Sequence, residues 1–371
     1  MSRRSSSARS SSPPSPWTGS GRRGSPEVRM IVHARAPLRI NDIGGWTDTW
    51  FAGRGEVLNI AAGPPVEVQV RAHPASSRTK KRVLVRADNY GRSFRMDPGR
   101  PSLDPHPLLQ FCVAACPPPP RFDVEVRIHS PVPAGISTGT SASVCVALLG
   151  ALARLARRKL TGRQAARLAH EIETERLGLQ SGIQDQLCAA AGGICHIRMS
   201  RYPAARLSRL RLRPEVLEGL GRRIVLVYLG KPHRSSDLHR RVISLMKEGS
   251  PRFETLRRLA DLASQARLLL ERGDLESFGR VMAENNECQR ALYDKLISPA
   301  ADAVIRLARR HGAAGWKVNG AGGRGGSLTL LASADDGRRR ALVRDIGGLG
   351  RGLRVLPFWL LQSGLTVWRA R

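Results

Sequence analysis

Pro133-Ala-Gly-Ile-Ser-Thr-Gly-Thr-Ser-Ala-Ser143 is the stretch of sequence that decides the fold. It follows a strand-like run and opens a largely apolar helical run, Val144–Arg157. Small residues at a helix N-terminus let several backbone N–H groups approach one anion, and the helix dipole favours negative charge there. The segment therefore predicts a phosphate-binding loop whose hydroxyls are also suitable oxygen ligands for Mg²⁺. The alternative interpretation is a tight turn with a Ser/Thr helix cap.

Strands and helices surround this loop without a regular alternation. Alternation of apolar and polar residues predicts strands at Val66–Val70, Val83–Arg86 and Phe122–Ile128. Strand-like runs predict further strands at Ile31–Ala36, Ile224–Leu229, Gly315–Asn319, Ser327–Leu331, Leu353–Phe358 and Leu365–Arg369. After Val144–Arg157, helices are predicted from Thr161, a candidate cap, to Arg176, and at Ser235–Lys247, Phe253–Arg272, Leu275–Tyr293 and Ala300–Arg310. The Arg/Leu/Pro-rich segment Arg201–Gly221 is predicted to be a connector. The pattern is typical of an α+β fold in two lobes.

Composition narrows the class of protein. The 371 residues include 61 Lys plus Arg against 30 Asp plus Glu, a net charge of +31, but only 5% aromatics. The arginines are scattered rather than joined with aromatics into one stripe. This favours a solvated surface that attracts anionic ligands, and it argues against a nucleic-acid site. The sequence has no run of eighteen or more apolar residues, so it predicts no membrane span. The six cysteines form no metal-binding or C-x-x-C spacing, which favours buried free thiols in a reducing compartment such as the cytoplasm.

The N-terminal segment differs from the rest of the chain. Residues 1–29 are Ser, Arg, Pro and Gly with hardly any apolar content, so we expect a disordered tail. A further hypothesis is that translation starts at Met30, directly before the first strand. The domains predicted after the tail are 30–205 and 206–371.

Three other segments concentrate polar or glycine residues: Arg35–Asp48, Glu173–Gln186 and Lys317–Gly326. The carboxylates of the second segment can divide the work of catalysis, one holding a metal and another facing a substrate hydroxyl. The alternative for that segment is a surface helix with two glutamates on it. For the first, the alternative is a Gly-Gly turn with Asp48 as a solvated cap.

Together the four segments resemble the GHMP kinases, whose phosphate loop is roughly P-x-G-x-G-L-G-S-S-A. Ser137 and Thr138 stand where that pattern has Gly and Leu. Gly-Gly-Trp-Thr-Asp48 and Gly182-Ile-Gln-Asp-Gln186 are similar to the sugar-kinase branch, which includes heptose 7-phosphate kinases and fucokinases. The resemblance implies a two-lobed fold, with an N-terminal lobe like ribosomal protein S5 domain 2 and a ferredoxin-like C-terminal lobe.

The resemblance also implies roles for single residues. Asp185 would be the catalytic base with Arg39 beside it, Ser141 and Glu173 would hold Mg²⁺ with Glu175 as the fallback, and ATP phosphates would bind to Pro133, Gly135, Ser137, Thr138, Gly139, Thr140, Ser141 and Ala142. The acceptor would bind at Gly45, Thr47, Asp48 and Gly182, and the C-terminal glycine loop would be Gly320, Ala321, Gly322 and Gly323. Arg324 interrupts that loop and either contacts phosphate or points to solvent. His233–Ser236 is a further candidate for binding a substrate phosphate.

The expected protein is thus a cytoplasmic, ATP- and Mg²⁺-dependent sugar kinase, a monomer or homodimer that binds neither nucleic acid nor membrane. Its first expected acceptor is the anomeric hydroxyl of a heptose 7-phosphate, and fucose or another monosaccharide is the second. Two interpretations from other classes are a non-catalytic sugar sensor of the same fold and a basic nucleic-acid binder.

Overall fold

Two long antiparallel strands, β1 (Met30–Ile43) and β2 (Gly55–Pro74), organise the larger sheet of the protein. The computed structural model describes residues 28–75, 79–88, 91–133, 135–232, 235–246, 249–350 and 352–370. The predicted tail therefore lies almost wholly outside the described residues, as do His233 and Arg234. Both strands run well beyond the segments predicted for them, because burial becomes nearly continuous where other elements cover both faces of the sheet.

The other strands of this sheet are shorter and come from both ends of the chain. Within the described ranges its main path is β13-β1-β2-β5-β3-β4, and β2 also pairs with β6 and β12, while β6 pairs with β7. These strands are β3 (Val83–Ala87), β4 (Arg92–Met96), β5 (Phe122–His129), β6 (Ile194–Arg201), β7 (Ala204–Arg209), β12 (Trp359–Leu360) and β13 (Thr366–Arg369). The last two strands return to the sheet that the first strand starts, and the predicted division at residues 205 and 206 stays a prediction.

A layer of helices covers the larger sheet. Helix α2 (Thr140–Leu155) packs on β1 and β2 and against α3 (Gly162–Glu171) and α4 (Gln184–Ala191), and α1 (Pro107–Ala115) contacts its side. Almost every residue of α2 is buried, as expected for a helix that is apolar on all faces. The helix begins at Thr140, four residues before the predicted start, so its N-terminus lies in the predicted phosphate loop.

A second, four-stranded antiparallel sheet has the order β11-β8-β10-β9. Its strands are β8 (Ile224–Leu229), β9 (Gly315–Val318), β10 (Ser327–Leu331) and β11 (Leu353–Leu356). The helices of this part of the chain are α5 (Pro214–Arg223), α6 (Ser235–Leu245), α7 (Arg252–Arg272), α8 (Leu275–Leu292), α9 (Pro299–Arg310) and α10 (Asp336–Gly348). Apolar residues of α9 and α10 share one core with this sheet, whereas α7 packs on β2 and joins the two halves. The predicted α+β class is confirmed.

The structure corrects two of the sequence predictions. The predicted connector Arg201–Gly221 is wrong, because it contains the whole of strand β7 and most of helix α5, which starts at Pro214. The proline at the first helical position of α5 is the sequence signal that was missed. The helix predicted from Thr161 to Arg176 begins with a Thr161–Gln164 capping box, but its α-helical part ends at Glu171. The remaining turn, Ile172–Arg176, is π-helical.

The cysteine prediction is confirmed for five of the six side chains, which are free and buried; Cys288 is free and half-buried. No helix in the described parts of the chain combines the length and the apolar character needed to cross a bilayer.

Candidate active site

The predicted phosphate loop leads from β5 into α2 and forms one wall of a cleft of about 340 Å³. Gly139 caps the helix in the left-handed region, with φ +65°. A Cβ atom at this position would lie 3.2 Å from both the Arg39 side chain and the Asp185 carboxylate. The glycine therefore lets the helix N-terminus approach those two side chains closely. Every described loop residue from Gly135 to Ala142 lines the cleft; Pro133 does not.

The two departures from the family pattern adopt different solutions. Ser137 has φ +63°, the left-handed conformation in which glycine is favoured, and its carbonyl accepts a 2.6 Å hydrogen bond from Arg39 Nη1. Thr138 is buried, and its hydroxyl lies 3.2 Å from that of Thr140. The loop thus keeps a conformation that glycine usually provides, and Arg39 stabilises it.

Arg39 and Asp185 form the central ion pair of the cleft. Arg39 Nε donates to Asp185 Oδ1 at 2.6 Å and Nη2 donates to Oδ2 at 3.3 Å. Burial alone would lower the pKa of Arg39, but the negative charges of Asp185 and Asp42 raise that pKa above its usual value. The guanidinium is buried, whereas the Asp185 side chain is 27% exposed on the cleft side. A two-point contact of this kind fixes the direction of the carboxylate while leaving it open to a ligand.

Asp48 lies on the same cleft beside Asp185. Its Oδ2 accepts the backbone N–H of Gln184 at 3.0 Å, and its Oδ1 accepts the side-chain amide of the same residue at 3.2 Å. Burial, with a contribution from Asp185, raises the pKa of Asp48 to about 6. The adjacent Gly182 allows this approach, since a Cβ there would lie 2.0 Å from Asp48 Oδ2.

The other two residues predicted for the acceptor do not line the cleft. The hydroxyl of Thr47 is bonded to the carbonyls of Gly44 and Glu56, and Gly45 belongs to the same turn. The structure therefore gives Gly45 and Thr47 the role of shaping the turn that presents Asp48.

Glu173 reaches the cleft from the π-helical turn. Its Oε2 accepts hydrogen bonds from Ser181 Oγ at 2.8 Å and Gln186 Nε2 at 2.7 Å. Burial raises the pKa of Glu173 to about 7, and the charge of Asp185 adds to the shift. Glu175, the fallback metal ligand, is exposed and does not line the cleft.

Two residues of the cleft, Glu173 and Ser141, have the oxygen ligands that a magnesium ion would need. Glu173 is a buried carboxylate whose charge is disfavoured, so a divalent cation beside it would restore the ionised form. Ser141 lines the same cleft with an exposed side chain. Mg²⁺ typically binds to one or two protein oxygens and to substrate phosphates, and no cluster of three His, Cys, Asp or Glu side chains occurs in the described ranges.

Asp42 and Lys317 form a buried ion pair that we did not predict. Lys317 Nζ lies 3.0 Å from Asp42 Oδ1, and the side chains are 0% and 2% exposed. The same oxygen accepts the backbone N–H of Gly320 at 3.0 Å. Burial lowers the pKa of Lys317. Burial alone would raise the pKa of Asp42, but the positive charges of Lys317 and Arg39 lower it. The pair thus connects the C-terminal glycine loop to the strand that carries Arg39.

The glycine loop itself divides into two parts. Gly320 and Ala321 line the cleft, whereas Gly322 and Gly323 turn away from it. A Cβ at Gly322, with φ +67°, would lie 2.1 Å from the Leu296 carbonyl oxygen, so the glycine is required for that turn. Arg324 is exposed and does not line the cleft, which favours the solvent interpretation.

Buried side-chain amides hold the turn at Gly44 and the loop at Gly320 through hydrogen bonds. Asn285 Oδ1 accepts the N–H of Gly44, and Gln289 Nε2 donates to the carbonyl of Gly320, so one face of α8 holds both turns. Asn319 Oδ1 accepts the N–H of Asn41. Asn285 and Gln289 lie one helical turn apart on α8, and this spacing was the sequence signal for a buried polar contact.

Aromatic side chains close the remaining side of the cleft. Trp46 and His239 meet edge to face at 4.9 Å, and His239 Nδ1 lies 2.8 Å from the Gln180 carbonyl oxygen. The indole N–H of Trp46 is buried without a hydrogen-bond partner among the described residues. Helix α6 carries His239, so elements from both halves of the chain enclose the space in front of Asp48.

Comparison with known proteins finds two family models that match this chain. The profile of the GHMP kinases N terminal domain matches residues 109–193, and that of the GHMP kinases C terminal domain matches residues 266–346. The chain is 29% identical over 241 residues to a mevalonate kinase of Pyrococcus horikoshii, covering 63% of this chain and 67% of that protein.

Two other relatives act on sugars according to their names. The bifunctional fucokinase/GDP-fucose pyrophosphorylase of Arabidopsis thaliana is 24% identical over 318 residues, 81% of this chain and 30% of that protein. The D-glycero-alpha-D-manno-heptose 7-phosphate kinase of Campylobacter jejuni is 24% identical over 245 residues, 66% of this chain and 70% of that protein. The chain spans about two thirds of the length of the mevalonate kinases it matches.

Among solved structures, a D-glycero-D-manno-heptose 1-phosphate kinase from Bacteriodes thetaiotaomicron has the same fold. Its TM-score is 0.70 at 22% identity, over 92% of this chain and 99% of that one.

Proposed function

Because this chain belongs to the GHMP kinase superfamily, we propose that it is an ATP-dependent sugar kinase that phosphorylates the anomeric hydroxyl of a heptose 7-phosphate. The observation that carries the proposal is the position of Asp185. Its carboxylate lies against Gly139, at the N-terminus of the helix that would hold the nucleotide phosphates, and Arg39 orients it. A base in that position faces the point where an acceptor hydroxyl and a terminal phosphate would meet.

Each residue then has a defined task in the transfer. Asp185 accepts the proton of the attacking hydroxyl, and the two hydrogen bonds from Arg39 direct that carboxylate into the cleft. The amides of the loop and of the α2 N-terminus bind the phosphate oxygens and stabilise the charge that they carry during transfer. Glu173 and Ser141 would hold Mg²⁺, which neutralises phosphate charge when it is bound.

Asp48 supports a polyhydroxyl acceptor. It is a buried carboxylate that lies beside Asp185. Its oxygens can accept hydrogen bonds from the hydroxyl groups of a sugar bound on that side of the cleft. The same negative charge disfavours a carboxylate at this point, which argues against a mevalonate-like acceptor despite the higher identity of that relative. The Gly-Gly-Trp-Thr-Asp segment and the heptose-kinase relative together support the choice of sugar.

A fucose-type monosaccharide is the second candidate acceptor. A relative that matches 81% of this chain is named a bifunctional fucokinase/GDP-fucose pyrophosphorylase, and the Asp48 segment fits the fucokinases equally well. A panel of free sugars, sugar phosphates and mevalonate with Mg-ATP, followed by ADP release, tests both. NMR of the product identifies the phosphorylated oxygen. ADP release with mevalonate alone would contradict the sugar-kinase proposal, and release with none of them would favour the sensor interpretation.

Acceptor binding should depend on pH through Asp48. Because burial raises its pKa to about 6, the carboxylate is ionised above pH 6 and takes up a proton below it. A protonated carboxyl accepts hydroxyl hydrogen bonds less strongly, so kcat/KM for the acceptor should fall as the pH decreases from 7 to 5. The Asp48→Asn variant should lose this component of the profile. A wild-type profile with the same slope as the variant's would contradict the role of Asp48.

The Gly182→Ala variant should lose acceptor affinity and retain nucleotide affinity. The new methyl group would lie 2.0 Å from Asp48 Oδ2, so the carboxylate must move out of its place. Displacements of about 1 Å can cost up to about 10²-fold in rate, and we expect kcat/KM for the acceptor to fall by about 10- to 10²-fold. Steady-state kinetics and ATP titration measure the two effects. Gly347→Ala, where no atom lies within 4 Å of a Cβ, is the matched control.

A further inference from the structure

A second concave site lies at the opposite end of helix α2 from the phosphate loop. It is a groove of about 750 Å³ between the end of α2, the start of β1 and strand β13. The helix has 16 residues, so the groove lies about 24 Å from the loop. Its described lining contains no carboxylate and combines five cations with an apolar floor. The cations are Arg154, Arg157, Arg158, Lys159 and Arg369, and the floor is Met30, Ala153, Leu160 and Val367.

Four of the five cations of this groove have no side-chain partner among the described residues. The exception is Arg158, which donates to the carbonyl of Ala115 and to Cys116 Sγ. The side chains of Arg154, Arg157, Lys159 and Arg369 form no hydrogen bond or ion pair with the part of the chain that the structure describes. Like charges that share one concave surface repel each other, and a multiply charged anion would relieve that repulsion.

The backbone at Arg157 is a second observation. Helix α2 ends in a Schellman-type turn, in which Arg158 N donates to the Ala153 carbonyl, and Arg157 occupies the left-handed position with φ +57°. Glycine is strongly preferred at this position because a Cβ atom is strained there. The sequence thus carries an unpaired arginine where glycine would be more stable, which indicates a use for its side chain.

A helix C-terminus also attracts cations, but this effect explains only part of the groove. Arg154 lies in the last turn of α2, where it offsets the helix dipole. Lys159 lies beyond that turn, and Arg369 comes from strand β13 on the other side. Since the whole chain has a surplus of cations, charge alone does not mark a site; concavity, convergence from two elements and the Arg157 backbone do.

We propose that this groove is a second binding site for a small organic phosphate with two or more negative charges. The phosphate groups bind to Arg157, Lys159 and Arg369, and the organic part lies on the apolar floor. Guanidinium groups suit this task because they form paired, charge-assisted hydrogen bonds with phosphate oxygens. The inference does not rest on the proposed kinase activity, because the groove shares no residue with the cleft.

The test is calorimetric titration of the full chain with inorganic tripolyphosphate, with a non-hydrolysable ATP analogue present to occupy the phosphate loop. One further equivalent should bind, and Arg157→Gly and Arg369→Gln should each weaken this binding about tenfold. Arg157→Gly should at the same time raise the Tm by about 1–2 °C, because it removes the left-handed strain. Loss of affinity in a more stable protein cannot be caused by unfolding.

Arg340→Gln on α10, an exposed arginine without a side-chain partner in the described ranges, is the matched control and should retain full affinity. Affinity within twofold of wild type in both groove variants would overturn the proposal. So would an equal loss in Arg340→Gln, which would indicate diffuse attraction by the net charge. Binding of a DNA duplex that tripolyphosphate does not displace would assign the groove to nucleic acid instead.

Discussion

Replacing Asp185 with asparagine should lower kcat by a factor on the order of 10²–10⁴, because the amide cannot take the proton of the attacking hydroxyl. The variant keeps the size of the side chain, and its carbonyl oxygen can still accept one of the two hydrogen bonds from Arg39. Nucleotide binding depends on the loop amides, so the Kd for ATP should change little. Rapid-quench or coupled ADP assays measure the turnover, and calorimetry measures the affinity.

Asp261→Asn is the matched control for this experiment. Asp261 lies exposed on α7, outside the cleft, and its replacement makes the same chemical change. A turnover of Asp185→Asn close to that of the control would remove the proposed base. A fall in ATP affinity as large as the fall in turnover would instead indicate that the loop had lost its shape, since Arg39 also donates to the Ser137 carbonyl.

The Lys317→Met variant should lose about 3–5 kcal/mol in its free energy of unfolding. Lys317 is fully buried, and its ammonium group is the nearest cation to Asp42, at 3.0 Å, whereas Arg39 lies at 3.7 Å. Methionine preserves most of the side-chain volume but leaves the Asp42 carboxylate buried with less compensation. Urea titration followed by circular dichroism measures the loss.

The Lys317→Met/Asp42→Asn double variant separates charge from packing. Removing both charges should restore part of the stability, because the uncompensated carboxylate is then absent. Lys295→Met, at an exposed position, should be nearly neutral. A double variant that is less stable than Lys317→Met would show that the ion pair is not the source of the effect.

Much of the fold follows from local patterns. The alternation in Phe122–Ile128 and the apolar run of α2 predict a strand and a buried helix that the structure contains. Thr161 caps α3 as expected, and the structure adds Gln164 as its partner in the capping box. The errors occur where short-range signals are weak. Strand β7 has few apolar residues and exists because β6 supplies its hydrogen-bond partner, which residue preferences alone do not reveal.

The candidate site shows the same division. Pattern and resemblance were sufficient to select Asp185, Arg39, Asp48 and Glu173, and the structure brings all four to one cleft. The resemblance put Glu173 first and kept Glu175 as the fallback. The two differ in the structure because the π-helical turn buries Glu173 and leaves Glu175 exposed. Gly45 and Thr47 do not line the cleft, because they belong to the turn that presents Asp48.

By itself, therefore, the sequence determined the loop at Pro133–Ser143, the helix that follows it and the polar segments that belong with it, because spacing, residue size and capping act within a few residues of the chain. Only the tertiary structure decided which polar groups meet. Lys317 and Asp42 lie 275 positions apart, and the amides of α8 bond to turns of both halves of the chain. A buried charge or amide must find a partner once water is excluded, and which partner it finds depends on the packing of distant elements.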